Sequence, residues 1–163
     1  MIRPNNRISW TCALVTCLLL ASSNSFARVT AKALPELVKM SSTIVFGEVV
    51  EAQNGSQSRV DWAAFRVEKV VRGTASPGDI VQICRTPPPM TDYPDVSRWL
   101  GHTIIVFLSP RPEGCMQLSH SYVSVVEIRD DRARTAQIDK EPDDQPCATF
   151  MKKLRKLSSK KSK

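Results

Sequence analysis

The residues best suited to chemistry in this chain of 163 are its five cysteines and two histidines. Cys12 and Cys17 stand early, while Cys84, Cys115 and Cys147 are widely spaced, with none of the close C-x-x-C pairs that gather zinc. His102 follows Gly101 at the head of an apolar run, and His120 lies between Ser119 and Ser121. A hydrolase needs a nucleophile, a base and a group that orients the base, all converging in a cleft. Ser119-His120-Ser121 is not a spacing that creates a triad, and the chain has no nucleophile elbow, phosphate-cradling glycine loop or helical zinc motif. The expectation is therefore a protein that is not an enzyme, with no catalytic residue, metal or cofactor.

Two acidic groups invite a calcium reading: Asp130-Asp131, and the run Asp139, Glu141, Asp143 and Asp144. The second lacks the glycine and terminal glutamate of a calcium loop and reads as a solvated connector. Asn54-Gly55-Ser56 fits an N-glycosylation pattern, but a tight turn accounts for it fully. More promising is the segment 86–101, where Pro87, Pro88, Pro89 and Pro94 exclude a central strand. It collects Met90, Tyr93, Arg98 and Trp99 around Asp92 and Asp95. Aromatics and arginine anchor protein interfaces, and long loops in small domains are often functional. Met90, Tyr93, Arg98 and Trp99 are accordingly the candidate binding loop. The plainer alternative for Trp99 is a plug at one end of the fold.

These residues depend on where the chain goes. Arg3 and Arg7, the apolar run 10–21 and the small-residue pattern Ser25-Phe26-Ala27 form the three parts of a secretory signal. The run is shorter than the ~20 apolar residues a spanning helix needs. Cleavage near Ala27 is expected, giving a periplasmic or secreted protein. A lipoprotein acylated at Cys17 is the rival, disfavoured by Thr16 where a small residue is usual. Cleavage removes Cys12 and Cys17, so three cysteines enter an oxidising compartment. One bridge and one unpaired thiol then follow, with three possible pairings.

Charge is unevenly placed. The formal net charge is +7, but Lys152, Lys153, Arg155, Lys156, Lys160, Lys161 and Lys163 crowd the C-terminus. Without them and the two leader arginines, the 16 acids slightly outnumber the bases of residues 28–150. The basic excess thus describes a tail, not a nucleic-acid-binding face, and no specific nucleic acid is expected as a partner. The seven cations are candidate contacts to an anionic surface.

Residues 28–157 have the size of a single domain, followed by a basic, disordered tail at 158–163. Leu34, Leu37 and Val38 share one face of a short helix over 33–40. A strand over 43–52 is interrupted by Gly47, which marks a bulge or bend. The next strand alternates at Phe65 and Val67, then slips phase near Glu68-Lys69 before Val70 and Val71, predicting a β-bulge. The segment 72–78 is a turn and 79–85 a third strand. Residues 102–108 are apolar on both faces, hence deeply buried, and a fifth strand is expected over 122–128. Phe150, Met151, Leu154 and Leu157 recur at helical spacing, in a helix suited to cap the barrel while its lysines stay wet. The fold class is mainly β: a small five-stranded OB-like β-barrel with a short N-terminal and a C-terminal helix.

The strings SSTIVFGEVVEA, FRVEKVVRG, PGDIVQI and LGHTIIVFLSP resemble the exported OB-fold modules related to tissue inhibitors of metalloproteinases and netrin domains. Residues 34–108 carry this resemblance. It rests on core and turn patterns, which imply a fold and not an activity. In the inhibitors a leading cysteine binds the protease zinc; here the expected mature N-terminus is Arg28 and no cysteine precedes Cys84, so that mechanism is not implied.

In an OB-fold sheet the third and fifth strands are neighbours. That adjacency implies a Cys84–Cys115 bridge, with Cys147 a free thiol or one pairing between chains in a dimer. The leading functional expectation is an exported, non-catalytic module that binds another exported protein, as an inhibitor or an envelope accessory. The alternatives are an exported hydrolase of unknown substrate and an adhesion protein acting on anionic surfaces through its tail.

Overall fold

A computed structural model describes residues 31–53, 62–84 and 96–160. The expected leader, the Asn54-Gly55 turn, most of the proline-rich loop with Met90 and Tyr93, and Lys161 and Lys163 lie outside the described residues.

Helix α1 (Leu34–Met40) buries Leu34, Leu37 and Val38, with Pro35 in its first turn, where a missing N–H removes no helical bond. Seven residues are too few to hold a helix in water unaided. Side chains close its C-terminal end instead. Ser41 Oγ donates to Leu37 O at 2.7 Å, Arg72 Nη1 to Val38 O at 2.6 Å, and Ser109 Oγ to Met40 O at 3.2 Å. These occupy three of the four carbonyls that a helix C-terminus leaves open.

Five strands close the barrel: β1 (Thr43–Gln53), β2 (Trp62–Arg72), β3 (Ile80–Cys84), β4 (Thr103–Pro110) and β5 (Met116–Leu118). Their order around the ring is β1-β2-β3-β5-β4, completed by β4 pairing back to β1. All contacts are antiparallel except β3 with β5, which run parallel and meet at Ile83 and Met116. This is the mainly β, five-stranded OB-like barrel with a helix near each end of the chain that the sequence predicts.

Strand alternation separates two cores. Val45, Phe65, Val67, Ile104, Val106 and Leu108 fill the barrel interior. Ile44, Phe46, Ile105 and Phe107 point outward, to α1 and to α2 (Cys147–Ser158). Residues 104–108 are apolar on both faces because each face has its own core. This also corrects the expected place of α2. It packs Phe150, Met151 and Leu154 on the barrel flank instead of capping an end, since the outward Phe46 and Phe107 would otherwise face water.

Both backbone irregularities read in β1 and β2 are present. Val67 pairs with Gly47 and Lys69 with Phe46, leaving Glu68 as the extra residue of a bulge. Gly47 is required opposite it: a Cβ there would lie 1.9 Å from Arg66 O.

The second half departs from expectation. The fifth barrel strand is β5, and the segment expected at 122–128 is divided between a 3₁₀ turn, η2 (Ser121–Ser124), and β6 (Val125–Arg129). Ser121 has φ 44°, and buried Ser124 Oγ accepts His120 N–H at 2.6 Å, so a local side-chain bond replaces the ladder. β5 and β6 run along one edge of β4, and β6 continues into an unanticipated meander with β7 (Arg132–Arg134) and β8 (Asp144–Pro146).

The acidic groups belong to this meander. Asp130 and Asp131, at φ 51° and 56°, are the two residues of the β6–β7 turn, the primed geometry that matches strand twist. The run 139–144 is not a solvated connector throughout. The Glu141 side chain is only 4% exposed and accepts hydrogen bonds from Lys153 and Gln145, while Asp144 pairs with Arg132 at 2.6 Å. Ser158, expected to begin the disordered tail, is the last residue of α2, and Ser159 N–H bonds back to Arg155 O at 3.0 Å.

Candidate functional site

Trp99 closes one end of the barrel. It ends the 3₁₀ turn η1 (Val96–Trp99), so residues 96–99 of the expected loop have regular structure. The chain beyond η1 is tied to β1: Gly101 N–H donates to Val49 O at 2.8 Å, and Val49 N–H to His102 O at 3.3 Å. Gly101 turns at φ 73°, a conformation that favours glycine. This tie drives the indole into the interior cluster with Val49, Ile104 and Val125, leaving Trp99 4% exposed.

The indole N–H must find an acceptor when buried. It donates to Glu127 Oε1 at 3.0 Å. Val125 and Glu127 lie on the same face of β6. Val125 points into the barrel, and Glu127 reaches the rim where β6 leaves β4 for β7. The other oxygen of Glu127 accepts Arg129 Nη2 at 2.7 Å. Both carboxylate oxygens are thus engaged, one by a neutral donor and one by a cation.

A groove of about 200 Å³ opens over this pair, lined by Arg98, Trp99, Val125, Glu127, Arg134 and Gln137. The Arg98 guanidinium carbon lies 5.5 Å from the Trp99 ring centroid, within cation–π range. β6 and β7 pair Ile128 with Ala133, the chain neighbours of Glu127 and Arg134. Arg134 approaches Asp144 Oδ2 only at 3.8 Å, while Arg132 holds the same oxygen at 2.6 Å. Gln137 gives one of its two Nε2 hydrogens to Val125 O and lines the groove. No protein-family model matches the chain, and no curated protein matches it.

Of the expected binding loop, Arg98 and Trp99 come together at this groove, and Trp99 is also the barrel-end plug of the plainer reading. Met90 and Tyr93 are outside the described residues. Sequence reasoning missed Glu127, Arg134 and Gln137. The one available signal was the unmet N–H of a buried tryptophan, which calls for an acceptor without saying where it lies.

The remaining sites are elsewhere. Cys84 and Cys115 form a disulfide beside the Ile83–Met116 contact of β3 and β5. Cys147 is free and buried in the first turn of α2. Burial pushes its thiol pKa up, the Asp131 charge adds to the rise, and Lys69 opposes it. Pairing between chains would first require this thiol, 8% exposed, to be uncovered. His102 is exposed just before β4, whereas His120 is half-buried and follows β5, its N–H held by Ser124. Among the described residues, no group of three or more His, Cys, Asp or Glu could hold a metal ion, and no helix is long and apolar enough to cross a membrane.

The basic residues of α2 occupy its outward face. Lys152, Arg155 and Lys156 are exposed there, Lys160 is exposed just beyond the helix end, and Lys153 reaches to Glu141. Phe150, Met151 and Leu154 are committed to the flank core, so the apolar stripe of this helix is already used.

Proposed function

We propose that the chain is an exported, non-catalytic OB-like binding module that engages a segment of another exported protein through the Trp99 groove. The observation that supports this most is the groove itself. It pairs a rigid aromatic floor, fixed by Glu127, with two arginines and an amide at its rim. A buried aromatic with adjacent arginine is the composition of an interface anchor. The volume, about 200 Å³, falls below the roughly 300–1,000 Å³ of sites that enclose a whole small molecule. It suits a side chain of a larger partner. The resemblance to inhibitor and netrin-type modules points the same way at the level of fold.

The test is selection of displayed random peptides against residues 28–163, run in parallel with a Gln137→Trp variant whose larger side chain fills the groove. Peptides enriched on the parent protein and lost on the variant support the reading. Enrichment that ignores the filled groove, or none at all, refutes it. N-terminal sequencing of the fractionated protein tests export, with Arg28 as the expected first residue.

A second reading is favoured by the cationic outward face of α2. It is adhesion to anionic lipid, with the helix face adding to the terminal lysines. Each cation near such a surface contributes about 1 kcal/mol, screened by salt. Co-sedimentation with phosphatidylglycerol vesicles at low salt should fall more for Lys152→Glu/Lys156→Glu than for deletion of residues 161–163. Equal retention of all three proteins removes this reading.

A further inference from the structure

Resting on the groove reading above, we propose that the group the groove receives is a carboxylate, carried by an acidic residue of an extended peptide and held by Arg134 over the Trp99 indole. Glu127 is the single acid among the lining residues, and it is internally neutralised: Oε2 accepts Arg129 at 2.7 Å and Oε1 accepts the indole N–H at 3.0 Å. Its charge is offset before any ligand arrives, and its role is to hold the floor.

The cations at the rim are less committed. Asp144 is the ion-pair partner of Arg134 among the described residues, at 3.8 Å, and its nearer oxygen is taken by Arg132 at 2.6 Å. The Arg134 side chain is 51% exposed, and its planar fork of donors matches the two oxygens of a carboxylate. Arg98 adds a second positive charge across the Trp99 face. Gln137, with one of its two amide hydrogens given to Val125 O, keeps a carbonyl oxygen that can accept. An extended peptide supplies the matching N–H beside its acidic side chain. Lysine or arginine in the same place would meet two guanidinium groups and no unneutralised acid, so charge complementarity selects the acidic segment.

The decisive experiment resynthesises the peptides enriched in the selection above. Each is made as found and with every Asp and Glu replaced by Asn and Gln, then titrated by isothermal calorimetry against the parent protein and Arg134→Gln. Far-UV circular dichroism and melting confirm that the variant is folded, as an exposed site leads one to expect. The expected result is at least a tenfold weakening from either change alone, and little further loss when the neutralised peptide meets Arg134→Gln. Groove-dependent peptides that bind equally well after neutralisation overturn the carboxylate assignment while the groove reading stands. A selection that returns no groove-dependent peptide overturns both. Groove-dependent binding of a sulfated polysaccharide or single-stranded nucleic acid in place of acidic peptides also overturns this assignment.

Discussion

Trp99 and Glu127, 28 residues apart, are joined by a 3.0 Å hydrogen bond from the indole N–H to Oε1, which fastens η1 to the rim of β6. Removing the acceptor leaves a buried N–H without a partner and Arg129 without its acid. Glu127→Ala should lose about 1–3 kcal/mol of stability in urea unfolding. Glu127→Gln, which keeps an acceptor oxygen, should recover much of that loss. Trp99 emission should shift in the alanine variant and stay near the parent value in the glutamine variant.

Gly47 sits where β1 passes the Glu68 bulge, with Arg66 O 1.9 Å from the position a Cβ would take. The obstacle is backbone on a neighbouring strand, so a rotamer change cannot relieve it. Gly47→Ala should cost about 3 kcal/mol or more, at the upper end of overpacking effects. Thermal melting checks this, and a variant with an unchanged midpoint would show that β1 and β2 do not approach so closely.

The Cys84–Cys115 bridge closes a loop with a sequence separation of 31. In the chain-entropy model such a loop contributes about 3–4 kcal/mol. Cys84→Ser, Cys115→Ser and the double variant should all lose the same amount, since each removes the same constraint. Non-reducing peptide mapping should return the 84–115 linkage, with Cys147 alkylated only after denaturation.

Cys147 gives a pH signature. Its thiol pKa is raised in the fold, chiefly by burial, so the native state holds the proton that the unfolded chain releases first. Below the ordinary thiol value, about 8.5, both states are protonated and the group is silent. As pH rises through that value toward the raised one, the unfolded state is favoured and stability falls. Cys147→Ala should flatten this alkaline loss relative to the parent protein, as read from urea midpoints at pH 7 and pH 10. Identical pH profiles would mean that the thiol is not desolvated.

What could be read from the sequence follows the range of the signals. The Glu68 bulge was visible because Phe65, Val67, Val70 and Val71 break their own alternation within seven residues. The burial of residues 104–108 was visible because no polar residue interrupts them. The bridge between Cys84 and Cys115 needed the barrel order, which the resemblance supplied. The β6–β8 meander was not legible, because its strands are short and Asp130-Asp131, which makes its turn, also satisfies the pattern of a solvated acid pair. Most of the groove was hidden for a similar reason. Arg134 and Gln137 meet Trp99 only once that meander is folded back over the barrel end.

The disulfide also has a mechanical meaning. Between its two sulfurs runs all of β4, the strand that pairs with β1, β5 and β6, so the most connected strand of the barrel lies inside a covalent ring. Tension applied to the chain ends passes from Cys84 to Cys115 through the sulfurs and bypasses β4. Stretched to its full length, the oxidised chain should be shorter than the reduced one by roughly 100 Å, the span of the segment that the ring shields.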